Sequence, residues 1–326
     1  MVKSKAALRG LQSAISIKTA VLSGFRTVPA PLFMVWEATY RCNLHCPYCY
    51  LDGRKNSAAP LLDTAGIKGI IAEARQLGLF CLVITGGEPL LRDDIFEVRE
   101  YASGLGLMVS LTTNGTMIQK SNIDEVSKFD HVTISADSVH HRCRANACGA
   151  KDTNRSWVES MVSELRGLSP GIMINMQTVI DEDNWVHLLG INREFHDVKI
   201  DTVFQLRYGN GFEIHRDRWN GMIRQMRYRN TLLGWIQKRV LRLFPGISRG
   251  ECSSPCLALT SNFVVSPEGD LLPCNYRREA ITSLRNGRSL GDIWNELGDL
   301  RKLYSSDSRG CACANTCFLP PAMLLS

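Results

Sequence analysis

From Pro31 onward the hydrophobic positions fall into short apolar runs alternating with longer stretches of helical spacing. Leu32 to Thr39 (LFMVWEAT) reads as a buried strand that ends in a cysteine-bearing loop. Helical spacing then runs from about Thr64 to Leu77, with Asp63 or Thr64 as N-cap and Gly78 as the stop. Further strands are predicted at 80–85, 107–112, 131–135, 172–180 and 202–206, with helices near 94–103, 119–128 and 156–166. Strands alternating with helices in this way predict βαβ units and a parallel sheet. Periodicity is compatible with an open doubly wound sheet or an incomplete α/β barrel, and either one collects its ligands at the C-terminal ends of the strands.

The pattern changes after this series. Residues from about Ile214 to Phe244 are helical and carry Arg216, Arg218, Arg224, Arg227, Arg229, Lys238, Arg239 and Arg242. They read as a solvated face, or as a docking surface for an acidic peptide, a phosphate or an anionic membrane. NFVVSPEGDLLPC predicts a hairpin with strands at 262–265 and 271–273, and a helix is expected from Leu290 to Tyr304.

Composition changes this picture at one point. Of the 326 residues, 44% are hydrophobic and 21% charged, with a formal net charge of +6, all ordinary for a globular protein. Twelve cysteines are not ordinary. The first residues have neither a long apolar core nor a small-residue cleavage site, and no run approaches a bilayer-spanning length, so a cytoplasmic location with reduced, metal-binding thiols is expected.

Cys42, Cys46 and Cys49 are spaced C-x3-C-x2-C directly after the first strand. A zinc ion there needs a fourth ligand, from His45 or a distant cysteine. A [4Fe–4S] cluster held by three thiolates leaves one iron open. Cys81 lies inside an apolar strand and reads as a core residue, and Cys143 and Cys148 read as incidental loop residues.

Later strand ends carry further polar sets: Gly86-Gly87-Glu88-Pro89, Thr112-Thr113-Asn114-Gly115 and Ser135-Ala136-Asp137. Glycines allow close backbone approach, and a carboxylate beside them complements an ammonium. With the cysteine loop, and in this order, they resemble the radical S-adenosylmethionine (SAM) superfamily over roughly residues 32–210. The resemblance implies a [4Fe–4S] cluster on Cys42, Cys46 and Cys49 whose open iron is chelated by SAM. It implies SAM contacts from Tyr48, Gly86, Gly87, Glu88, Thr113, Asn114, Ser135, Asp137 and Arg144. The implied activity is reductive SAM cleavage to a 5′-deoxyadenosyl radical that abstracts a hydrogen atom, with the electron coming from an external flavodoxin- or ferredoxin-like donor.

The tail, with Cys252, Cys256, Cys274, Cys311, Cys313 and Cys317, resembles the SPASM and twitch domains appended to such enzymes. Shared elements are Gly269 to Cys274, the Ser289 to Trp294 helix and Cys313 to Cys317. The usual C-x2-C-x5-C is reduced to Cys311-Ala-Cys313, and no cysteine follows Cys317. One auxiliary [4Fe–4S] cluster is therefore expected on Cys256, Cys274 and Cys317, with a fourth ligand from Cys252, Cys311 or Cys313; a zinc knuckle is the alternative.

The expected fold is α/β: a partial (β/α)6 TIM-like barrel with a small cysteine-rich C-terminal α+β domain containing the β-hairpin. Expected boundaries are an N-terminal helical extension (1–30), the core (31–213), a basic helical linker (214–250) and the auxiliary domain (251–326). Relatives with such tails act on peptides, by cross-linking, epimerisation or dehydrogenation, and on small metabolites such as aminocyclitols. A peptide substrate is expected here, with a metabolite, sugar or lipid as alternative. Only about thirty residues precede the first strand, so any leader-binding partner is expected to be a separate protein. Leu8, Leu11, Ile15, Ile17 and Val21 offer an amphipathic start for peripheral membrane contact. No nucleic-acid partner is expected. A non-enzymatic iron–sulfur electron carrier accounts for the cysteines but not for Gly86-Gly87-Glu88.

Overall fold

The computed structural model describes residues 31–54, 57, 59–135, 155–182, 184–207, 214–228, 232–249, 251, 256 and 258–306. Six strands follow one another in parallel: β1 (Phe33–Glu37), β2 (Cys81–Thr85), β3 (Met108–Thr113), β4 (His131–Ser135), β5 (Met173–Ile180) and β6 (Asp201–Leu206). They form an open, partial (β/α)6 barrel. On the far side of β1 the sheet continues as β7 (Asn262–Val265), β8 (Asp270–Leu272) and β9 (Thr282–Ser283), giving the order β6-β5-β4-β3-β2-β1-β7-β8-β9. The predicted hairpin is thus present as antiparallel β7 and β8, and β7 pairs in parallel with β1 from Phe33↔Asn262 to Trp36↔Val265.

The helices between strands follow from local sequence. α1 (Thr64–Gln76) buries Ile67, Ile70, Ile71 and Ala74 on one face, and Asp63 Oδ1 accepts from the Gly66 N–H at 2.8 Å as its N-cap. It ends in a Schellman turn: Gly78, at φ 103, donates to Arg75 O, and Leu79 donates to Ala74 O. α2 (Ile95–Gly104) ends the same way, with Gly106 at φ 81 donating to Ser103 O and Leu107 donating to Ala102 O. Both turns deliver the chain straight into the next strand. The helix expected at 119–128 shrinks to the single turn of α3 (Ile123–Val126). Asn122 accounts for this, since its side chain accepts from Gln119 N and donates to Met117 O, competing with helical backbone bonds.

α4 (Arg155–Leu168) and α5 (Leu188–Asp197) complete the alternation. α6 (Arg216–Gln225) and α7 (Leu232–Ser248) follow β6, held together by Trp219, which donates to Leu241 O at 2.7 Å and packs against Phe244. Their basic residues Arg216, Arg218, Arg224, Arg227 and Arg242 are exposed. Arg216 pairs with Glu251 at 3.5 Å and Arg227 with Asp197 at 3.7 Å. α8 (Leu290–Glu296) is capped by Ser289 and buries Leu290, Ile293 and Trp294, while α9 (Gly298–Ser306) follows directly. Among the described residues no helix is long and apolar enough to cross a membrane.

Candidate active site

The C-terminal ends of the parallel strands surround a cavity of about 430 Å³. One side is the loop after β1, contributing Cys46 through Tyr50. Gly86 and Gly87 after β2, Thr113 and Asn114 at β3, and Ser135 at the end of β4 continue the wall. Gln177, Gln205 and Arg207 come from β5 and β6, and Asn275, Tyr276 and Arg278 from the segment after β8.

The residues expected at the strand ends are brought together, but their work is divided. Gly86 has φ 124, and a Cβ there would lie 2.6 Å from Thr39 O. A Cβ on Gly87 would lie 2.2 Å from Arg41 O. The close approach that demands these glycines is therefore the chain's own backbone: Gly87 N–H donates to Thr39 O at 2.7 Å and Glu88 N–H to Arg41 O at 2.8 Å. Both bonds hold the strand end that leads into the cysteine loop. Glu88 is fully buried, behind the cavity-lining Thr113 and Asn114 that it bonds. Its carboxylate accepts from Thr113 Oγ1 (2.8 Å), Leu90 N (3.1 Å) and Asn114 N (2.8 Å), locking β2 to β3. Asn114 in turn donates to Asn43 Oδ1 at 2.8 Å, and Asn43 donates to Thr116 Oγ1 at 2.8 Å, tying the cysteine loop to β3.

Cys42, Cys46 and Cys49 are half-buried thiols outside any disulfide. Cys42 and Cys46 pack on Leu44, and Cys46 and Cys49 line the cavity. Among the described residues no three Cys, His, Asp or Glu side chains converge closely enough to grip a single metal ion. A cluster, in which each thiolate takes its own iron, needs no such convergence. Tyr48 adds a cavity-lining phenol whose buried hydroxyl has no hydrogen-bond partner among the described residues, so it suits a ligand with a polar edge. Thiol donors, backbone glycines and an unsatisfied phenol make a set that fits an iron–sulfur cluster with a polar organic ligand.

Asp137 and Arg144 lie outside the described residues, as do Cys143, Cys148, Cys252, Cys311, Cys313 and Cys317. Cys81 is buried in β2. Cys256 is half-buried; Cys274 is buried, and its Sγ accepts from Arg277 N at 3.2 Å.

Sequence reasoning missed a second constellation. Glu37, the last residue of β1, is fully buried and receives a two-pronged Arg278 guanidinium, with both N–H···O distances 2.7 Å. Asn275 donates to Glu37 Oε1 at 3.0 Å and to the Tyr50 hydroxyl at 3.3 Å. Asn275, adjoining Cys274, thus links Tyr50, adjoining Cys49, to this carboxylate. Burial opposes the charge on Arg278, but the Glu37 carboxylate outweighs it and raises the guanidinium's pKa. Tyr50 keeps an exposed flank, yet desolvation of its phenol and the nearby Glu37 hold its pKa well above the ordinary value. A charged residue closing an otherwise apolar strand is the sequence signal that points to Glu37.

Residues 36–189 match the family model described as the radical SAM superfamily. The chain is 28% identical over 286 residues to the PqqA peptide cyclase of Xanthomonas campestris pv. campestris, covering 82% of this chain and 74% of that one. Among solved structures it is similar to Streptococcus suis SuiB bound to S-adenosylmethionine, with a TM-score of 0.64 at 17% identity over 93% of this chain and 73% of that one. SuiB bound to the precursor peptide SuiA gives 0.63 at 17% identity, over 92% and 70%. These structures share the fold.

Proposed function

We propose that the chain, whose residues 36–189 match the radical SAM family model, is a peptide-modifying radical SAM enzyme with its reaction centre in the cavity at the strand ends. The cavity carries this reading: the cysteine loop and the polar ends of β2, β3 and β4 meet there. Cys42, Cys46 and Cys49 would hold the cluster, with SAM against Tyr48, Gly86, Gly87, Glu88, Thr113, Asn114 and Ser135, and with Asp137 and Arg144 as further contacts. When bound, the cluster and SAM supply one-electron cleavage to a 5′-deoxyadenosyl radical, which takes a hydrogen atom from the substrate.

The protein's own part is placement. Glu88 fixes the β3 end through Thr113 and Asn114, and the backbone N–H groups of Gly87 and Glu88 fix the loop through the carbonyls of Thr39 and Arg41. Glu88 thus also positions the residues proposed to contact the ligand. The peptide class is supported by the relatives named for cyclising a peptide. An auxiliary [4Fe–4S] cluster is proposed on Cys256, Cys274 and Cys317 with a fourth cysteine from Cys252, Cys311 or Cys313. The bonds from Asn275 to Glu37 and Tyr50 link the Cys274 segment to the first cysteine loop and support this arrangement.

Anaerobic reconstitution followed by metal analysis tests both parts. We expect about eight irons per chain and SAM cleavage on reduction, with Cys46→Ala retaining about four irons and losing cleavage. About four irons with one zinc would replace the auxiliary cluster by a zinc site, and a colourless protein that leaves SAM intact would sink the reading as a whole.

A further inference from the structure

Among the described residues, the side chains lining the cavity carry an excess of positive charge. Of the described residues lining it, Arg207 and Arg278 are cationic, and none is an aspartate or glutamate. Arg278 is neutralised from behind by the buried Glu37 carboxylate. Arg207 is not neutralised in this way. Its Nη2 donates to the Pro47 carbonyl of the cysteine loop at 3.3 Å, and it has no carboxylate partner among the described residues.

Arg207 is nevertheless firmly placed. Its backbone N–H donates to Ile180 O at 2.8 Å, prolonging the pairing of β6 with β5. Along the same wall, Gln177 Nε2 donates to Gln205 Oε1 at 2.8 Å, and Gln205 Nε2 donates to the Tyr276 hydroxyl. This is a row of side-chain amides and a phenol, groups that match peptide N–H and C=O, ending at a cation. A half-buried guanidinium beside such a row is suited to a carboxylate, which it can take through paired N–H···O bonds.

We infer that Arg207 is the specificity residue of the substrate subsite and takes a carboxylate of the peptide, held beside the cysteine loop. The inference rests on the peptide reading above and adds the chemical class of residue recognised. Two sources of that carboxylate share one chemistry: an acidic side chain and the peptide's own C-terminus.

The test uses the reconstituted full chain with SAM and no reductant. Fluorescent short-peptide pools of otherwise mixed sequence carry one fixed position, Glu or Gln, each with a free or an amidated C-terminus. Fluorescence anisotropy gives their affinities, and equilibrium dialysis gives that of SAM. A pool with the recognised carboxylate should bind about tenfold or more tighter than its amide counterpart. Preference for Glu over Gln identifies the side chain as the source; preference for the free over the amidated terminus identifies the C-terminus. Arg207→Gln should erase the preference and Arg207→Lys keep part of it, both with SAM affinity unchanged. Equal binding of acid and amide pools, or a preference that survives Arg207→Gln, would overturn the assignment while leaving the peptide reading intact. A fall in SAM affinity with Arg207→Gln would assign the guanidinium to the cofactor instead and also overturn it. If no pool binds at all, the peptide reading falls together with the subsite.

Discussion

The two ends of the parallel sheet carry similar side chains to different ends. At the N-terminal end, His131 opens β4 between Ser110, whose Oγ lies 3.0 Å from Nδ1, and Asn175, whose Nδ2 lies 3.0 Å from Nε2. Thr133 Oγ1 adds a 3.4 Å contact. Every partner there is another residue of the sheet. At the C-terminal end, Glu88, Thr113 and Asn114 form an equally dense set, but its bonds run on into the cysteine loop and its last members face a cavity. The closed network can only stabilise the fold. The open one spends the same kinds of hydrogen bond on placing groups for a ligand, and variants at the two ends separate these roles by what each one changes.

The largest effect is expected at Glu37 and Arg278. Glu37 is inaccessible to solvent and the Arg278 side chain is 13% exposed, so removing one partner leaves a charge stranded out of water. Glu37→Gln should destabilise the protein by about 3–5 kcal/mol, a fall in melting temperature of roughly 5–10 °C. Joint replacement, Glu37→Leu with Arg278→Met, should recover much of that loss, because the pair then goes as a unit. Additive losses in the double-mutant cycle would show that the two residues act separately.

Glu88→Gln is the sharper test of an open network. The amide keeps the shape but sets an N–H₂ against one of the donors Thr113, Leu90 and Asn114. Leaving a buried donor unsatisfied costs about 1–3 kcal/mol. Because the displaced strand end borders the cavity, SAM affinity should fall roughly tenfold as well, read by equilibrium dialysis beside a thermal melt. A stability loss with SAM binding intact would make Glu88 as purely structural as the His131 set.

Local sequence made much of this visible. The Schellman turns at Gly78 and Gly106, the Asp63 cap and the β7–β8 hairpin each depend on residues a few positions apart, so propensity and spacing find them. The cysteine loop and Gly86-Gly87-Glu88 are contiguous runs and equally legible. What stayed hidden was set by distance along the chain. Glu37 meets Arg278 across 241 residues, and nothing in the spacing singles out that arginine among 38 cationic residues. Nor does the hairpin announce that β7 will pair with β1, because parallel pairing is decided by packing of distant segments. The role of Glu88 was hidden for a third reason. A carboxylate beside two glycines suits an ammonium on paper, and only the positions of Thr113 and Asn114 show that it also ties the end of β2 to β3.

The smallest effect belongs to the closed network, and its sign follows from His131. Burial pushes the imidazole from 6.5 down to about 4, and an amide donor faces Nε2, so the folded protein holds the neutral ring. The unfolded chain therefore takes up the proton first as pH falls. Stability from this group is complete above about pH 6.5, declines between 6.5 and about 4, and is level below that. The full shift corresponds to about 3 kcal/mol, but His131 retains some surface exposure, and about 2 kcal/mol is the expected loss. Urea unfolding of the apoprotein at pH 7.5 and at pH 5 should give a lower midpoint in acid, and His131→Gln should remove that dependence. SAM affinity of the reconstituted His131→Gln protein should match wild type, because Ser110, Thr133 and Asn175, which face the ring, lie within β3, β4 and β5 away from the cavity wall. A variant that lost SAM binding while keeping its stability would break the division between the two ends of the sheet.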